Sequence, residues 1–312
     1  MITSTSILSS LSIFAAALLL CTTCAEELQQ AAEQQAVYSY GVSFPMLGNE
    51  TICSTNYPWL PHNVDPNRNP TPPEYKDMPL QVLGDRQAFY NNYIDGCKKY
   101  WDENGGEGHL CKEYEAQRLD HNTDQIPSMV NFTDIGYKKI RAPEHVFELL
   151  VEFWEANKDK QSDESFFPGN VFINYWETET GFVDVANADL EGGGDDLMDE
   201  LWKSSVDTIS EWTGQQLVPS SLYGIRVYKE GAVLSTHVDR MPLISSAIIN
   251  VAQDPDAEPW PLEVIGHDGV ARNITVSLKC ISLISISIVL IMKQISLLII
   301  TFIDMIYKDG SW

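Results

Sequence analysis

The sequence is poor in basic side chains. Lys and Arg contribute 20 of the 312 residues whereas Asp and Glu contribute 44, so the formal net charge is −24 at pH 7. An acidic excess of this size repels nucleic-acid phosphates and anionic lipid head groups. We therefore expect no nucleic-acid partner, and we interpret the charge as serving solubility or a cationic partner.

Charged side chains are absent from the first 25 residues. An apolar stretch, residues 7–20, is followed by the small residues Thr23 and Ala25 and then by a polar segment. The stretch is short for a membrane-spanning helix, and small residues at these two positions suit cleavage after Ala25. The pattern predicts a signal peptide over residues 1–25 and a protein of the secretory pathway, in the lumen of the endoplasmic reticulum or secreted.

Three N-glycosylation sequons agree with a secretory route. They begin at Asn49, Asn131 and Asn273. We predict that these asparagines carry glycans.

Cysteine is scarce, with four residues after the predicted signal peptide. Their spacing is not that of a zinc site, and no nearby pair of histidines completes one. In an oxidising lumen Cys97 and Cys111 can close a short loop, so they are the disulfide candidates. Cys53 is an alternative partner for one of them.

Proline-rich sequence between residues 58 and 79 excludes long regular elements there. We interpret residues 26–135 as a loop-rich and partly helical region, with helical character over residues 84–119. Helical periodicity of the apolar side chains begins again after Pro143, and a further helix ends at Gly214.

Strand patterns dominate after residue 222, because the apolar period shortens. The predicted strands are residues 171–176, 223–228, 244–251, 262–265 and 271–276. A glycine-flanked turn at residues 266–269 joins the last two as a hairpin. Helices followed by short antiparallel strands predict an α+β fold, a double-stranded β-helix (jelly-roll) core with N-terminal support helices.

The tripeptide His237-Val238-Asp239 is the candidate metal site. In a strand, residues two apart point to the same face, so we expect His237 and Asp239 to reach one ion together. A neutral imidazole and a carboxylate are two of the three ligands in the facial triad of non-haem Fe(II) oxygenases.

Residues 226–231 and 236–240 resemble the 2-oxoglutarate/Fe(II)-dependent dioxygenases of the prolyl 4-hydroxylase-like branch. In that family a tyrosine nine residues before the histidine and a glycine six residues before it are frequent, and Tyr228 and Gly231 match. The strands that follow the motif also look like those of the family. The likeness extends over residues 222–276, within a dioxygenase-like domain that we place at residues 136–279.

The resemblance implies hydroxylation of a peptidyl residue, most plausibly proline, with Fe(II), 2-oxoglutarate and ascorbate as cofactors. It assigns His237 and Asp239 as iron ligands and Tyr228 to the lining of the co-substrate pocket. The implied partner is a peptide or protein substrate.

Two parts of the family pattern are missing. The resemblance implies a second histidine ligand some tens of residues after Asp239, and a Lys or Arg about ten residues beyond it that binds the far carboxylate of the co-substrate. The one later histidine, His267, lies in the hairpin turn, where we expect it to point away from the site. We therefore predict that the barrel is incomplete at its C-terminal end and that the chain as given is inactive.

Residues 280–312 form an apolar tail rich in Ile, Leu and Ser, unlike the acidic sequence before it. One interpretation is translated non-coding sequence, which we rank first. Another is a transmembrane helix over residues 280–303, with Lys293 near its middle. The third is a pair of native buried strands, which such a long apolar run would make prone to aggregation.

A second functional class fits the same features. A catalytically dead glycoprotein, secreted or membrane-anchored, would use the dioxygenase scaffold for binding, because a fold does not fix a function. The genomic DNA after the codon for Lys279 separates the two classes. A splice donor there, followed by a reading frame with a strand-borne histidine and a Lys or Arg about ten residues later, supports the enzyme.

Overall fold

Most helices of the chain lie before residue 214, and the longest strands lie after residue 216. The computed structural model describes residues 50–52, 56–58, 60–81, 87–125, 128, 130–239, 241–254, 261–275, 280–285 and 297–307. The predicted signal peptide and Asn49 lie outside these ranges.

The α helices are α1 (Pro61–Val64), α2 (Gln87–Glu103), α3 (Leu110–Asp120), α4 (Glu144–Asn157) and α5 (Asp195–Thr213). Short 3-10 turns cover Pro73–Tyr75 and Lys158–Lys160, and a π turn over His121–Gln125 extends α3. The strands are β1 (Glu50–Ile52), β2 (Tyr137–Arg141), β3 (Ser162–Asp163), β4 (Gly181–Val183), β5 (Leu217–Lys229), β6 (Ser245–Gln253), β7 (Pro261–Ile265), β8 (Ala271–Thr275), β9 (Cys280–Ser285) and β10 (Leu297–Tyr307).

The helix boundaries follow local sequence signals. Pro143 directly precedes α4, where its missing N–H costs no hydrogen bond, and α4 buries the apolar stripe that the periodicity predicts. Gly214 ends α5 in the left-handed conformation with φ of 66°. The predicted helical stretch over residues 84–119 is two helices, α2 and α3, because Gly105 and Gly106 take positive φ between them.

A disulfide joins α2 to α3. Cys97 and Cys111, the pair favoured by the sequence, are bonded with their Cα atoms 6.1 Å apart. Both are fully buried beside Tyr93, Val171 and Val233. The disulfide therefore fixes the two helices to each other, and they pack against Val233 of the segment that leads to His237.

The strands form two antiparallel sheets. The smaller has the order β1-β8-β7, and the larger has the order β2-β9-β6-β10-β5-β4-β3. The α+β class is thereby confirmed. Within the described residues the sheets do not close into a barrel.

The predicted hairpin is present as β7 and β8, which pair in register from Pro261↔Thr275 to Ile265↔Ala271. The predicted strand over residues 171–176 is wrong. That segment has one isolated bridge, Ile173↔Leu234, and otherwise turns. Val171 is buried, and Trp176 partly buried, by packing around the disulfide rather than by pairing in a sheet.

The described parts of the apolar tail are strands of the larger sheet. β9 pairs with β2 and β6, whereas β10 lies between β5 and β6. The pairing makes these residues strands, and it joins segments on both sides of residue 279 in one sheet. No helix among the described ranges has the length and apolar character needed to cross a membrane.

Backbone register divides the larger sheet into two faces. In an antiparallel pair, residues directly opposite each other point to the same face, and residues two apart on one strand do so as well. One face, which we call the site face, holds Ser246, Ile248 and Asn250 of β6, Arg226 and Tyr228 of β5, and Tyr137 and Lys139 of β2. The opposite face is apolar at Ile140, Ile225, Val227, Ala247 and Ile249.

Candidate metal site

His237 and Asp239 converge in space. His237 Nε2 lies 3.7 Å from Asp239 Oδ1, and the two side chains are 20 % and 42 % exposed. The expectation that both stand on a strand is wrong, because residues 235–239 have no regular structure. The pair converges because hydrogen bonds from several elements hold this irregular segment.

The imidazole of His237 has a defined orientation. Its Nδ1 lies 2.7 Å from the carbonyl oxygen of Ser235, and since a carbonyl can only accept, Nδ1 donates its proton there. The ring also makes an edge contact with Phe172 at a centroid distance of 5.5 Å. In the neutral imidazole, Nε2 therefore carries the free lone pair and is directed to Asp239, as a metal-binding histidine requires.

Asp239 is oriented by two contacts. Ser246 Oγ on the site face donates to Asp239 Oδ2 at 2.5 Å, and Gln125 Nε2 donates to the main-chain oxygen of Asp239 at 2.5 Å. The second carboxylate oxygen, Oδ1, faces His237. One oxygen is thus held by the sheet while the other remains available to an ion.

The helical pair holds the backbone just before His237. Arg118 donates from Nη1 to the carbonyl oxygen of Thr236, and Asn122 donates to the same oxygen at 3.2 Å. Arg118 also forms a two-point ion pair with Glu115, at 2.8 and 2.6 Å, and both side chains are buried. Because a buried ion pair has a fixed geometry, it places the Arg118 donor at residue 236.

A second set of contacts holds the segment from the other side. Asn174, fully buried, accepts from the backbone N–H of Val233 at 2.7 Å and donates to the carbonyl of Gly231 at 2.9 Å. The backbone N–H of Ser235 donates to the carbonyl of Phe172 at 2.7 Å. Gly231 has φ of 86°, a conformation that favours glycine.

The proline-rich segment that contains Tyr57, Leu60 and Tyr75, which we call the arm, packs against the middle residue of the tripeptide, Val238. Val238 packs in a cluster with Tyr57, Leu60 and Tyr75 of the arm and with Ile265 and Ala271 of the smaller sheet. Tyr57 and Tyr75 are thus core residues. Val238 anchors the tripeptide in the core while His237 and Asp239 project from it.

Tyr228 lies on the site face and is fully buried. Arg226 Nη1 donates to its hydroxyl oxygen at 3.2 Å, and Arg226 is itself paired with Glu164. Burial raises the pKa of Tyr228, so its hydroxyl stays protonated. The face that carries Tyr228 is the face that Asp239 reaches through Ser246.

A third ligand is not found in the part of the chain that the structure describes, where no three His, Cys, Asp or Glu side chains form a metal-binding group. His267 Nδ1 is bound at 2.8 Å to the carbonyl of Thr133. His62 is buried against Asn56 and Tyr75, and His145 is paired with Glu200 at the surface.

The residues present fit a divalent metal ion held by two protein ligands. Asp239 Oδ1 and His237 Nε2 face each other. The other carboxylate oxygen accepts a hydrogen bond from Ser246, and the other ring nitrogen donates one to the Ser235 carbonyl. The sequence predicted that His237 and Asp239 lie close together, and the role of Tyr228 in a co-substrate pocket stays a prediction. The sequence did not indicate the residues that hold this pair in place. Contacts such as those of Arg118 and Asn174 join residues far apart in the chain, so no local spacing predicts them.

The two other predicted glycosylation sites are described. Asn131 is exposed in a loop, whereas Asn273 is half-buried within β8.

Comparison with known proteins gives no sequence match. No family model matches this chain, and no curated protein matches it either. Solved structures that are similar include a Pseudomonas putida prolyl-4-hydroxylase, with 13% identity, a TM-score of 0.37 and coverage of 56% of this chain and 94% of that one.

Two further similar structures have TM-scores of 0.40. One is a Trichoplax adhaerens prolyl hydroxylase in complex with a hypoxia inducible factor peptide fragment, at 10% identity and covering 64% of this chain and 97% of that one. The other is HygX from Streptomyces hygroscopicus with nickel and 2-oxoglutarate bound, at 10% identity and covering 60% and 87%. These neighbours include prolyl hydroxylases and a 2-oxoglutarate-binding protein, and likeness at this level does not assign a family.

Proposed function

We propose that this chain has the scaffold of a 2-oxoglutarate- and Fe(II)-dependent oxygenase that hydroxylates a peptidyl residue, proline being the preferred candidate. The observation that carries the proposal is the convergence of His237 Nε2 and Asp239 Oδ1 at 3.7 Å, with the remaining polar atoms of both side chains already bound. Such an arrangement presents one nitrogen and one oxygen to an ion without further rearrangement.

Iron bound at this pair, with 2-oxoglutarate, would supply the oxygen activation that hydroxylation of a C–H bond requires. The chain's own contribution is orientation. Ser246 holds Asp239, and the Ser235 carbonyl holds the His237 ring. Arg118 and Asn122 fix the carbonyl of Thr236, just before His237. Ascorbate is included in the proposal only because the family resemblance implies it.

We further propose that the chain as given is inactive. Three protein ligands form the facial triad, whereas the described residues supply two. The printed sequence has no histidine after His267, which is bound to Thr133.

Succinate release tests this proposal. Purified chain supplied with Fe(II), 2-oxoglutarate, ascorbate and proline-containing peptides should release no succinate above a blank without protein. Turnover that disappears in His237→Ala would contradict the proposed inactivity while supporting the ligand assignment.

The second candidate function is that of a catalytically dead binding glycoprotein, secreted or membrane-anchored. The described residues supply two ligands, which favours this function because a protein selected for binding need not retain a third ligand. Peptide binding that is unchanged by metal chelation would support it, and metal-dependent peptide binding would favour the oxygenase scaffold.

Both candidates share a proposed secretory location. Asn131 is exposed, so expression in a eukaryotic secretory host should attach a glycan there. Removal of N-glycans should then shift the wild type on a gel by one glycan more than Asn131→Gln. An identical shift for both chains would contradict modification at this site.

A further inference from the structure

Four aromatic side chains form a connected cluster, which we call the aromatic patch. They are Tyr100 and Trp101 of α2, and Phe166 and Tyr175 of the connection between β3 and β4. The ring of Tyr175 stacks on Phe166 at a centroid distance of 4.6 Å and makes edge contacts with Tyr100 at 5.5 Å and Trp101 at 6.2 Å. All four side chains are half-buried, so the patch keeps a side that faces solvent.

The patch is held in place from below and extended at its side. Trp101 packs against the buried cluster around the disulfide, and its Nε1 donates to the hydroxyl oxygen of Tyr175. Phe167, the neighbour of Phe166, contacts Tyr114 at a centroid distance of 5.1 Å and is 49 % exposed. Because the rings are fixed by their own contacts, a partner that binds to them does not have to order them first.

The chain around these rings is acidic. Seven acidic residues and two lysines lie in the segments that carry the patch, residues 95–103, 163–167 and 175–179. One of the two lysines, Lys98, is already paired with Asp102. Glu103, Asp163 and Glu177 are exposed and lie no more than three residues from a member of the patch, so their backbones are within roughly 10 Å of it. The patch therefore has an excess of negative charge at its rim.

Aromatic faces beside exposed carboxylates match the guanidinium group of arginine. This planar cation stacks on aromatic rings and binds a carboxylate through two parallel hydrogen bonds, whereas the ammonium group of lysine is a point charge. A neutral ligand would gain nothing from the excess of negative charge. A second copy of this chain, with its net charge of −24, would be repelled by it.

We propose that the aromatic patch is a docking surface for an arginine-containing segment of a partner polypeptide. Arginine side chains of the partner stack on the exposed ring faces and pair with carboxylates such as those of Glu103 and Glu177. The proposal gives a location to the cationic partner that the acidic composition favours. It does not depend on the metal pair formed by His237 and Asp239, so either proposal can fail while the other stands.

Binding of oligoarginine and oligolysine peptides of equal length to the full chain tests the proposal, with fluorescence anisotropy at physiological ionic strength as the measurement. The wild type should bind oligoarginine about threefold or more tightly than oligolysine, because stacking on the rings adds to the attraction between charges. Phe166→Leu keeps an apolar side chain but removes a ring face, so it should lose most of this preference. An unchanged melting temperature shows that the variant is folded.

Two charge variants separate the patch from the acidity of the whole chain. Glu103→Gln with Glu177→Gln removes two exposed carboxylates next to the rings, whereas Asp199→Asn with Asp207→Asn removes two exposed carboxylates from α5. Both double variants change the net charge by the same amount. The first should therefore weaken oligoarginine binding about threefold or more relative to the second, because only the first removes partners at the docking surface.

Three outcomes would overturn the proposal. Equal losses in the two charge variants would mean that the peptide responds to the overall charge and not to this surface. Equal affinity of the wild type for both peptides, unaltered in Phe166→Leu, would mean that the rings take no part. Binding of a neutral oligosaccharide that Phe166→Leu abolishes, with oligoarginine affinity unchanged, would assign the patch to a glycan instead.

Discussion

Removal of Arg118 should destabilise the fold and loosen the candidate site together. Its side chain is 1 % exposed, forms the two-point pair with Glu115, and donates to the carbonyl of Thr236 next to His237. Arg118→Met leaves the Glu115 carboxylate buried without its counter-charge, which costs about 3–5 kcal/mol. Urea denaturation followed by tryptophan fluorescence measures this loss.

The exposed ion pair between Lys98 and Asp102 is the control. Its side chains are 44 % and 45 % exposed, so Lys98→Met should change the midpoint of urea denaturation little, because solvent screens an exposed ion pair. The double variant Glu115→Gln, Arg118→Met should recover most of the loss, because no uncompensated charge then remains. An Arg118→Met protein as stable as Lys98→Met would refute the reasoning.

Two further predictions concern the disulfide and the tail. Replacement of both Cys97 and Cys111 by Ser should lower the free energy of unfolding by about 3 kcal/mol, as expected for a closed loop of this length, and calorimetry checks this; an unchanged melting temperature would contradict it. A chain ending at residue 279 lacks β9 and β10, which leaves β5 unpaired on one side and β6 unpaired on both. Because exposed strand edges promote aggregation, we expect this chain to be insoluble, and ultracentrifugation of lysates measures this. A soluble, folded truncation would instead agree with the interpretation of residues 280–312 as translated non-coding sequence. A contiguous transcript that covers residues 281–312 would contradict that interpretation.

Elements with local signals were predictable. Pro143 before α4, Gly214 after α5 and the turn between β7 and β8 each act within a few residues, so their sequence signatures are sufficient. The disulfide between Cys97 and Cys111 was also predictable, because a short loop in an oxidising compartment restricts the choice of cysteine partners.

The conformation of residues 235–239 was not predictable. The spacing of His237 and Asp239 suits a strand, yet the backbone is bound by side chains of Arg118, Asn122 and Gln125, more than a hundred positions earlier. Tertiary hydrogen bonds of this kind override a local pattern. The convergence of His237 and Asp239 was predicted from strand geometry, which does not apply because residues 235–239 form no strand.

The relation of Ser246 and Lys139 to the site depends on strand register. Both residues are visible in the sequence, but whether they share a face with the motif depends on how β2, β9 and β6 align. Only the paired strands reveal that Ser246 and Lys139 lie on one face of the sheet.

The most direct test of the central claim is the binding of Mn(II) to the wild type and to His237→Ala, measured by electron paramagnetic resonance. The wild type should bind one ion per chain, and the variant should bind at least about tenfold more weakly because one of two ligands is lost. His145→Ala, which removes an exposed histidine paired with Glu200, is the control and should bind like the wild type. Equal affinity in His237→Ala and His145→Ala would contradict the assignment of His237 and Asp239 as a metal site.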